Sequence, residues 1–207
     1  MSRLTSIACM LALVLMSCSL MFAQTQDVYQ VTYYDNNYVN GYLDSTIRII
    51  NPGLQGSPIA ANGLQGTLCA NIYVFDDSQE MIECCACPVT ANGLLTISVQ
   101  DITENPLTVT PVRGVIKVVS TAGPTCDPTH LGNATPDLRA FATHIQNAAF
   151  GGTSYKPFLS VTEEEFADAP LGAGEQTDLG TICSFVRYLG TGRGRCDDEC
   201  DEPVYGD

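Results

Sequence analysis

Three cysteines fall within four residues at Cys84-Cys85-Ala86-Cys87, and Pro88 follows them. A chain with such a cluster either oxidises it or uses it to hold a metal or an iron–sulfur cluster, and the choice constrains everything else. Cys69 precedes the cluster, and Cys126, Cys183, Cys196 and Cys200 follow it. The spacing argues against a metal. Cys-Cys-x-Cys and the Cys-x3-Cys of residues 196–200 are not the Cys-x2-Cys pairs of zinc ribbons or the common cluster spacings. The two histidines, His130 and His144, are far from both cysteine groups along the chain.

Compartment supports oxidation. Arg3 is followed by an apolar run over residues 7–16, and Ala23 precedes a polar stretch. This reads as a signal peptide over residues 1–23, too short to span a bilayer. A rival cut exists at Leu15-Met16-Ser17-Cys18, an imperfect lipobox that would place a lipid anchor on Cys18. Cleavage after Ala23 removes Cys9 and Cys18 from the ten cysteines and leaves an even eight. Exported cysteines in even number are expected as disulfides. The expected framework is therefore Cys69, Cys84, Cys85, Cys87, Cys126, Cys183, Cys196 and Cys200.

The 23 acidic and 9 basic side chains give a net charge of −14, or −15 once Arg3 leaves with the leader. Such a field repels nucleic acid and anionic lipid. No later stretch approaches the roughly 20 apolar residues of a membrane span. Tryptophan is absent and tyrosine occurs nine times. With abundant Gly, Thr, Asn and Val, this composition suits a β-rich exported domain.

Alternation, β-branched runs and turn signals predict strands over 28–34, 42–50, 68–75, 80–87, 94–99 and 112–120. Residues 76–79 predict a hairpin, and Pro88 is expected to end its ladder. Residues 138–146 fit a helix or a strand, and the surroundings favour a strand. Thr162-Glu163-Glu164-Glu165 matches a capping box and predicts a short helix that Pro170 ends. A longer helix is expected over 175–189, with Leu179, Ile182, Cys183, Val186 and Leu189 on one apolar stripe. The organisation is then a leader (1–23), a β-rich domain (24–160), a helix and cysteine segment packed on it (161–200) and an acidic tail (201–207).

In the predicted hairpin Cys69 faces position 86, and a slip of one residue brings it to Cys85 or Cys87. A Cys69 bond to the cluster is expected. Cys84 and Cys85 point to opposite faces of a strand and serve two different segments. Cys183, on the helix, takes Cys126 or one of the cluster. Cys196 or Cys200 is expected to pin the tail back to residues 84–87.

Other candidate sites read as structural. Asp76-Asp77 and the tail acids Asp197, Asp198, Glu199, Asp201 and Glu202 match no calcium-loop pattern. His130 and His144 lie in no nucleophile or metalloprotease motif. The tyrosines Tyr29, Tyr33, Tyr34, Tyr38 and Tyr42 mark an N-terminal strand that either belongs to its own sheet or adds to a neighbour's.

Residues 49–53 (Ile-Ile-Asn-Pro-Gly), 68–76 (Leu-Cys-Ala-Asn-Ile-Tyr-Val-Phe-Asp) and 83–90 (Glu-Cys-Cys-Ala-Cys-Pro-Val-Thr) carry a resemblance. So do residues 114–120, 138–146 and 183–185. Together they resemble a group of secreted, cysteine-rich bacterial proteins, acidobacterial in type, that share a Cys-Cys-x-Cys-Pro motif. The resemblance spans most of residues 45–200 and implies export and a shared cysteine framework. That group has no activity to carry over.

The expected fold is a mainly antiparallel β-sandwich with a C-terminal helical segment, stabilised by disulfides. The expected role is an exported, non-catalytic structural protein of the extracellular space or cell surface, self-assembling as a homo-oligomer through its N-terminal strand. No cofactor, metal or catalytic residue is expected. The alternatives are a secreted cation- or glycan-binding module and, behind it, a hydrolase or thiol-redox protein.

Overall fold

The most apolar strand of the chain, Leu68–Asp76, is buried on both faces over its first seven residues, and the rest of the fold explains why. The structure, a computed structural model, describes residues 29–35, 44–55, 65–103, 111–123, 125–147, 159–189 and 200. The leader, Cys18, Cys196, Tyr38, Tyr42 and the acidic tail lie outside the described residues.

Among the described residues, nine strands and two helices follow in chain order: β1 (Tyr29–Asp35), β2 (Thr46–Ile50), β3 (Leu68–Asp76), β4 (Met81–Val89), β5 (Leu94–Ser98), α1 (Val99–Thr103), β6 (Arg113–Ala122), β7 (Arg139–Asn147), β8 (Leu159–Glu165), β9 (Ala167–Ala169) and α2 (Ala173–Leu189). A five-stranded sheet runs β4-β3-β6-β1-β9, and a four-stranded sheet runs β5-β2-β7-β8. All strand pairs are antiparallel. Ile47 and Ile49 of β2, Leu95 and Ile97 of β5 and Ala140 and Ala142 of β7 meet Ala70, Ile72, Val74, Ile116 and Val118 of the larger sheet in one core. Alternation along each strand puts these side chains on the inner faces. The result is the expected antiparallel sandwich with a C-terminal helix.

The opposite face of β3 and β4 has its own apolar cluster. Tyr73, Met81, Cys84 and Val119 lie under Leu179, Cys183 and Val186 of α2. Sandwiched between the second sheet and a helix, β3 has no solvated face, so its sequence is an apolar run without alternation. Close approach also sets one glycine. A Cβ at Gly114 would stand 1.9 Å from the Phe75 carbonyl oxygen, where β6 passes β3.

Four local expectations change. The β3–β4 connection spans residues 77–80, with Gln79 in the left-handed region (φ 69°). The side chain of Asp76 accepts bonds from the Ser78 and Glu80 amides. With a further shift at a bulge between Val74 and Phe75, the register pairs Cys69 with Pro88 instead of position 86. Pro88 does not end the ladder, because β4 is an edge strand of its sheet, where a missing N–H is tolerated. Residues 162–165 are not a helix. They form β8, paired to β7 from Phe141↔Glu165 to Asn147↔Leu159. The capping-box pattern is local, and the unsatisfied edge of β7 outweighs it. Three exposed glutamates on the outermost strand also discourage pairing with another chain. Finally, β5 runs straight into α1, which the sequence did not suggest. The Ser98 hydroxyl accepts from the Asp101 amide and Asp44 accepts from the Gln100 amide, which caps the short helix.

Phe166 is the pivot between the sheets. Its amide donates to the Ala140 carbonyl, and its ring is buried in the core. One continuous stretch thus leaves the four-stranded sheet as β8 and enters the five-stranded sheet as β9.

Candidate functional site

The densest chemistry on the molecule is at β4. Alternation divides its cysteines between two faces. Cys84 shares the outer face with its cross-strand partner Tyr73, whereas Cys85 and Cys87 point into the sandwich opposite Ile72 and Ala70. All three are buried.

On the outer face, Cys84 is bonded to Cys183 of α2, with the two Cα atoms 5.8 Å apart. Arg187 donates to the Cys84 carbonyl at 3.1 Å. The Tyr73 hydroxyl donates to the Pro128 carbonyl at 2.8 Å. Burial and the charge of Asp127 push that phenol far above its ordinary range, so it stays a neutral donor. On the inner face, Cys87 is bonded to Cys200, with Cα atoms 4.7 Å apart. Cys85 is also disulfide-bonded. The sulfurs of Cys85, Cys87 and Cys200 lie within 4.8 Å of one another. That is a spacing a soft metal could use. In the oxidised protein, however, these sulfurs are committed to one another or to another cysteine, and a metal needs thiolates.

The expected bond from Cys69 to the cluster is not made. Cys69 is bonded to Cys126, with Cα atoms 5.4 Å apart. The reason is geometric. Cys69 lies on the outer face with Asn71 and Tyr73, while Cys85 and Cys87 face inward, so the sheet itself separates them. Of the alternatives for Cys183, the cluster holds it, not Cys126. The return of the tail to residues 84–87 is made by Cys200.

The histidines are placed apart. The His130 ring is exposed and lies 3.2 Å from Asp127. The hydroxyl of Thr129 donates to the same carboxylate, the main reason that its pKa falls below the ordinary value. His144 is buried and stacked on Tyr33, ring centroids 4.2 Å apart, so that β7 meets β1. Burial holds its pKa below the usual value, with Glu164 pulling the other way. The acidic turn is likewise engaged: Asp76 caps the hairpin and Asp77 meets Arg113 at 3.1 Å.

Two buried amides escaped sequence reading. Asn51 donates to the Gly66 and Val89 carbonyls, each at 2.8 Å, and accepts from the Gly53 amide. Asn71 donates to the Val119 carbonyl and the Thr121 hydroxyl. The Asn-Pro-Gly of residues 51–53 hinted at the first, while Asn71 looks like any polar residue inside a strand. No family, curated protein or solved structure matches the chain. Among the described residues no helix is long and apolar enough to cross a membrane.

Proposed function

We propose that the protein is an exported, non-catalytic structural protein of the extracellular space or cell surface, and that it self-associates. The observation that carries this reading is the fastening of β4 from both faces. Cys84 ties the outer face to α2, and Cys87 ties the inner face to the C-terminal segment. Disulfides of this kind are consistent with an oxidising, extracellular environment, where they persist. Closed bridges also withdraw these cysteines from nucleophilic chemistry. The signal peptide and the likeness to secreted proteins with the Cys-Cys-x-Cys-Pro motif support export. Assembly by donation of the N-terminal strand would have to displace β9, because Tyr29, Gln30 and Val31 are paired on both sides, to β6 and to β9.

The test is non-reducing peptide mapping of protein recovered from outside the cell. The expected map joins Cys69 to Cys126, Cys84 to Cys183 and Cys87 to Cys200, and begins at Gln24. Elimination leaves Cys196 as the partner of Cys85. Free thiols at these bridges, or retention of the full-length chain inside the cell, would overturn the reading.

A second reading, a secreted glycan-binding module, has one observation in its favour. Tyr29, Gln30, Ser120, Thr135 and Asp168 line a small hollow of about 10 Å³. There Gln30 donates to Asp168 at 2.9 Å, while its own carbonyl oxygen has no partner among the described residues. The hollow is the size of one water, and the Ser120 and Thr135 hydroxyls are bonded to each other, so a sugar would have to be held at its rim, by the Asp168 carboxylate and the Tyr29 ring. A glycan that shifts the amide resonances of Gln30 and Asp168 in wild type, and not in Gln30→Ala, would favour this reading over the first.

A further inference from the structure

The inner face of β4 gathers more sulfur than one bridge needs. Cys85 and Cys87 are two residues apart on one strand, so alternation puts both side chains on the same face with no bend in the backbone. Cys200, from the C-terminal segment, brings a third sulfur, and the three sulfurs lie within 4.8 Å of one another. Cys69–Cys126 and Cys84–Cys183 differ. They are single bridges of the outer face, and among the described residues neither belongs to a group of three close metal-ligating side chains.

We propose that, once a thiol reductant has opened the bridges of Cys85 and Cys87, the protein binds one copper(I) ion through Cys85, Cys87 and Cys200. Each bridge opens by taking two electrons and two protons from a dithiol, which leaves as a disulfide. The three thiols then lose their protons, and the metal takes their place. The distances suit this step. A metal bonded to each sulfur at about 2.3 Å in a trigonal plane sets the sulfurs about 4 Å apart. Cys87 and Cys200, now bonded to one another, have to part, and Cys85 has to move by no more than about 1 Å.

The donor set selects the metal. No oxygen ligand joins the three sulfurs among the described residues, and thiolates favour copper(I), zinc or an iron–sulfur cluster over calcium or magnesium. Three sulfurs leave a structural zinc site one ligand short of its tetrahedron, and a cluster takes four cysteines. Copper(I) is satisfied by three thiolates. Burial favours it as well. Cys85 and Cys87 are 0% and 1% exposed, beside Ala70 and Ile72, in an apolar core that keeps oxidants from the metal. Cys200 is only partly buried and offers the way in. The bridged and metal-bound forms exclude one another, so the structural reading of the oxidised protein does not depend on this site.

The full exported chain is tested in reduced and oxidised form, without oxygen, against copper(I) buffered by a chromogenic chelator. The reduced chain is expected to take up one ion, more tightly as pH rises because thiol protons are displaced, and the oxidised chain none. X-ray absorption should count three sulfurs around the copper. In the reduced protein Cys85→Ser and Cys200→Ser should each weaken binding by roughly tenfold or more, whereas Cys69→Ser and Cys183→Ser should change it by less than about twofold. These controls keep the test decisive if reduction loosens the fold, since an unfolded chain presents all its thiols alike. Equal weakening by Cys69→Ser and Cys85→Ser would therefore overturn the site. So would a count of four sulfurs, or a reduced chain that takes up no copper.

Discussion

The sandwich is closed along its two long sides by different means. At the β4 side the closure is covalent. Cys84–Cys183 holds a helix against the outer face, Cys87–Cys200 sits in the core, and α1 contacts β4. At the β1–β9 side it is made by a single strand that changes sheets at Phe166, by the Tyr33–His144 stack and by Arg139 reaching Glu165 and Asp168. The first side is open to reductants. The second is indifferent to reductants and carries a buried imidazole. The contrast teaches that the disulfides stand where chain continuity does not link the elements. β8 and β9 are joined through one residue, whereas α2 lies far along the chain from the strand it covers.

The largest effect should come from breaking the covalent side. Cys84–Cys183 spans a sequence separation of 99 residues. Removing it with Cys84→Ser and Cys183→Ser together should cost about 4 kcal/mol, chiefly by freeing the unfolded chain. Urea unfolding measures that loss. Hydrogen exchange should show protection falling first in α2 and staying high in β2 and β7. Equal loss in both sheets would mean that the two sides are not independent.

Next in size is the pivot of the other side. Phe166 is 3% exposed and touches both sheets' core. Phe166→Ala should cost about 3 kcal/mol through the lost transfer energy and the cavity left behind. Here exchange should rise in β8 and β9 while α2 stays protected, the mirror image of the cysteine variant.

These two sides were not equally legible in the sequence. The β4 side was half legible. Alternation correctly sent Cys84 and Cys85 to opposite faces, and the Gly-Arg segment before Cys196 pointed to a tail that needed pinning. The register was not, because the turn at Gln79, in the left-handed region, and a bulge between Val74 and Phe75 together moved Cys69 opposite Pro88. The β8–β9 side was misread. A Thr followed by three Glu has helical local preferences, and its strand state depends on β7, whose own assignment was ambiguous. In α2 the helical period was plain, but period alone cannot separate the stripe buried on β4 from the exposed Ile182, Phe185, Tyr188 and Leu189, since both are apolar.

Acid sharpens the comparison from the second side. Burial lowers the His144 pKa in the folded state below the ordinary value of 6.5. In the window between the two values the unfolded chain binds more protons than the folded one, so stability rises with pH there. The contribution is complete above about 6.5 and is lost as pH falls toward the folded-state value. Glu164, facing the ring from β8, reduces the effect, and Tyr33 covers the ring from β1. Urea midpoints should therefore fall between pH 7.5 and pH 5.5 in wild type and fall less in His144→Gln. The reduced protein should show the same slope if the two sides are independent.

The smallest effect belongs to Arg139. It lies 4.0 Å from Glu165 and 3.7 Å from Asp168, one on each side of the Phe166 pivot, and all three side chains are about half exposed. Pairs of this kind in water contribute about 0.5 kcal/mol each or less. Arg139→Ala should thus cost under about 1 kcal/mol, and most of the difference from wild type should vanish in high salt, where exposed charges are screened. The comparison with Phe166→Ala then decides what joins the sheets. If the charges only decorate the crossing, the arginine variant keeps β8 and β9 protected in exchange. If protection falls as far as it does with Phe166→Ala, the crossing is held by charge. In that case high salt should loosen the wild-type protein at this side and leave the disulfide side unchanged.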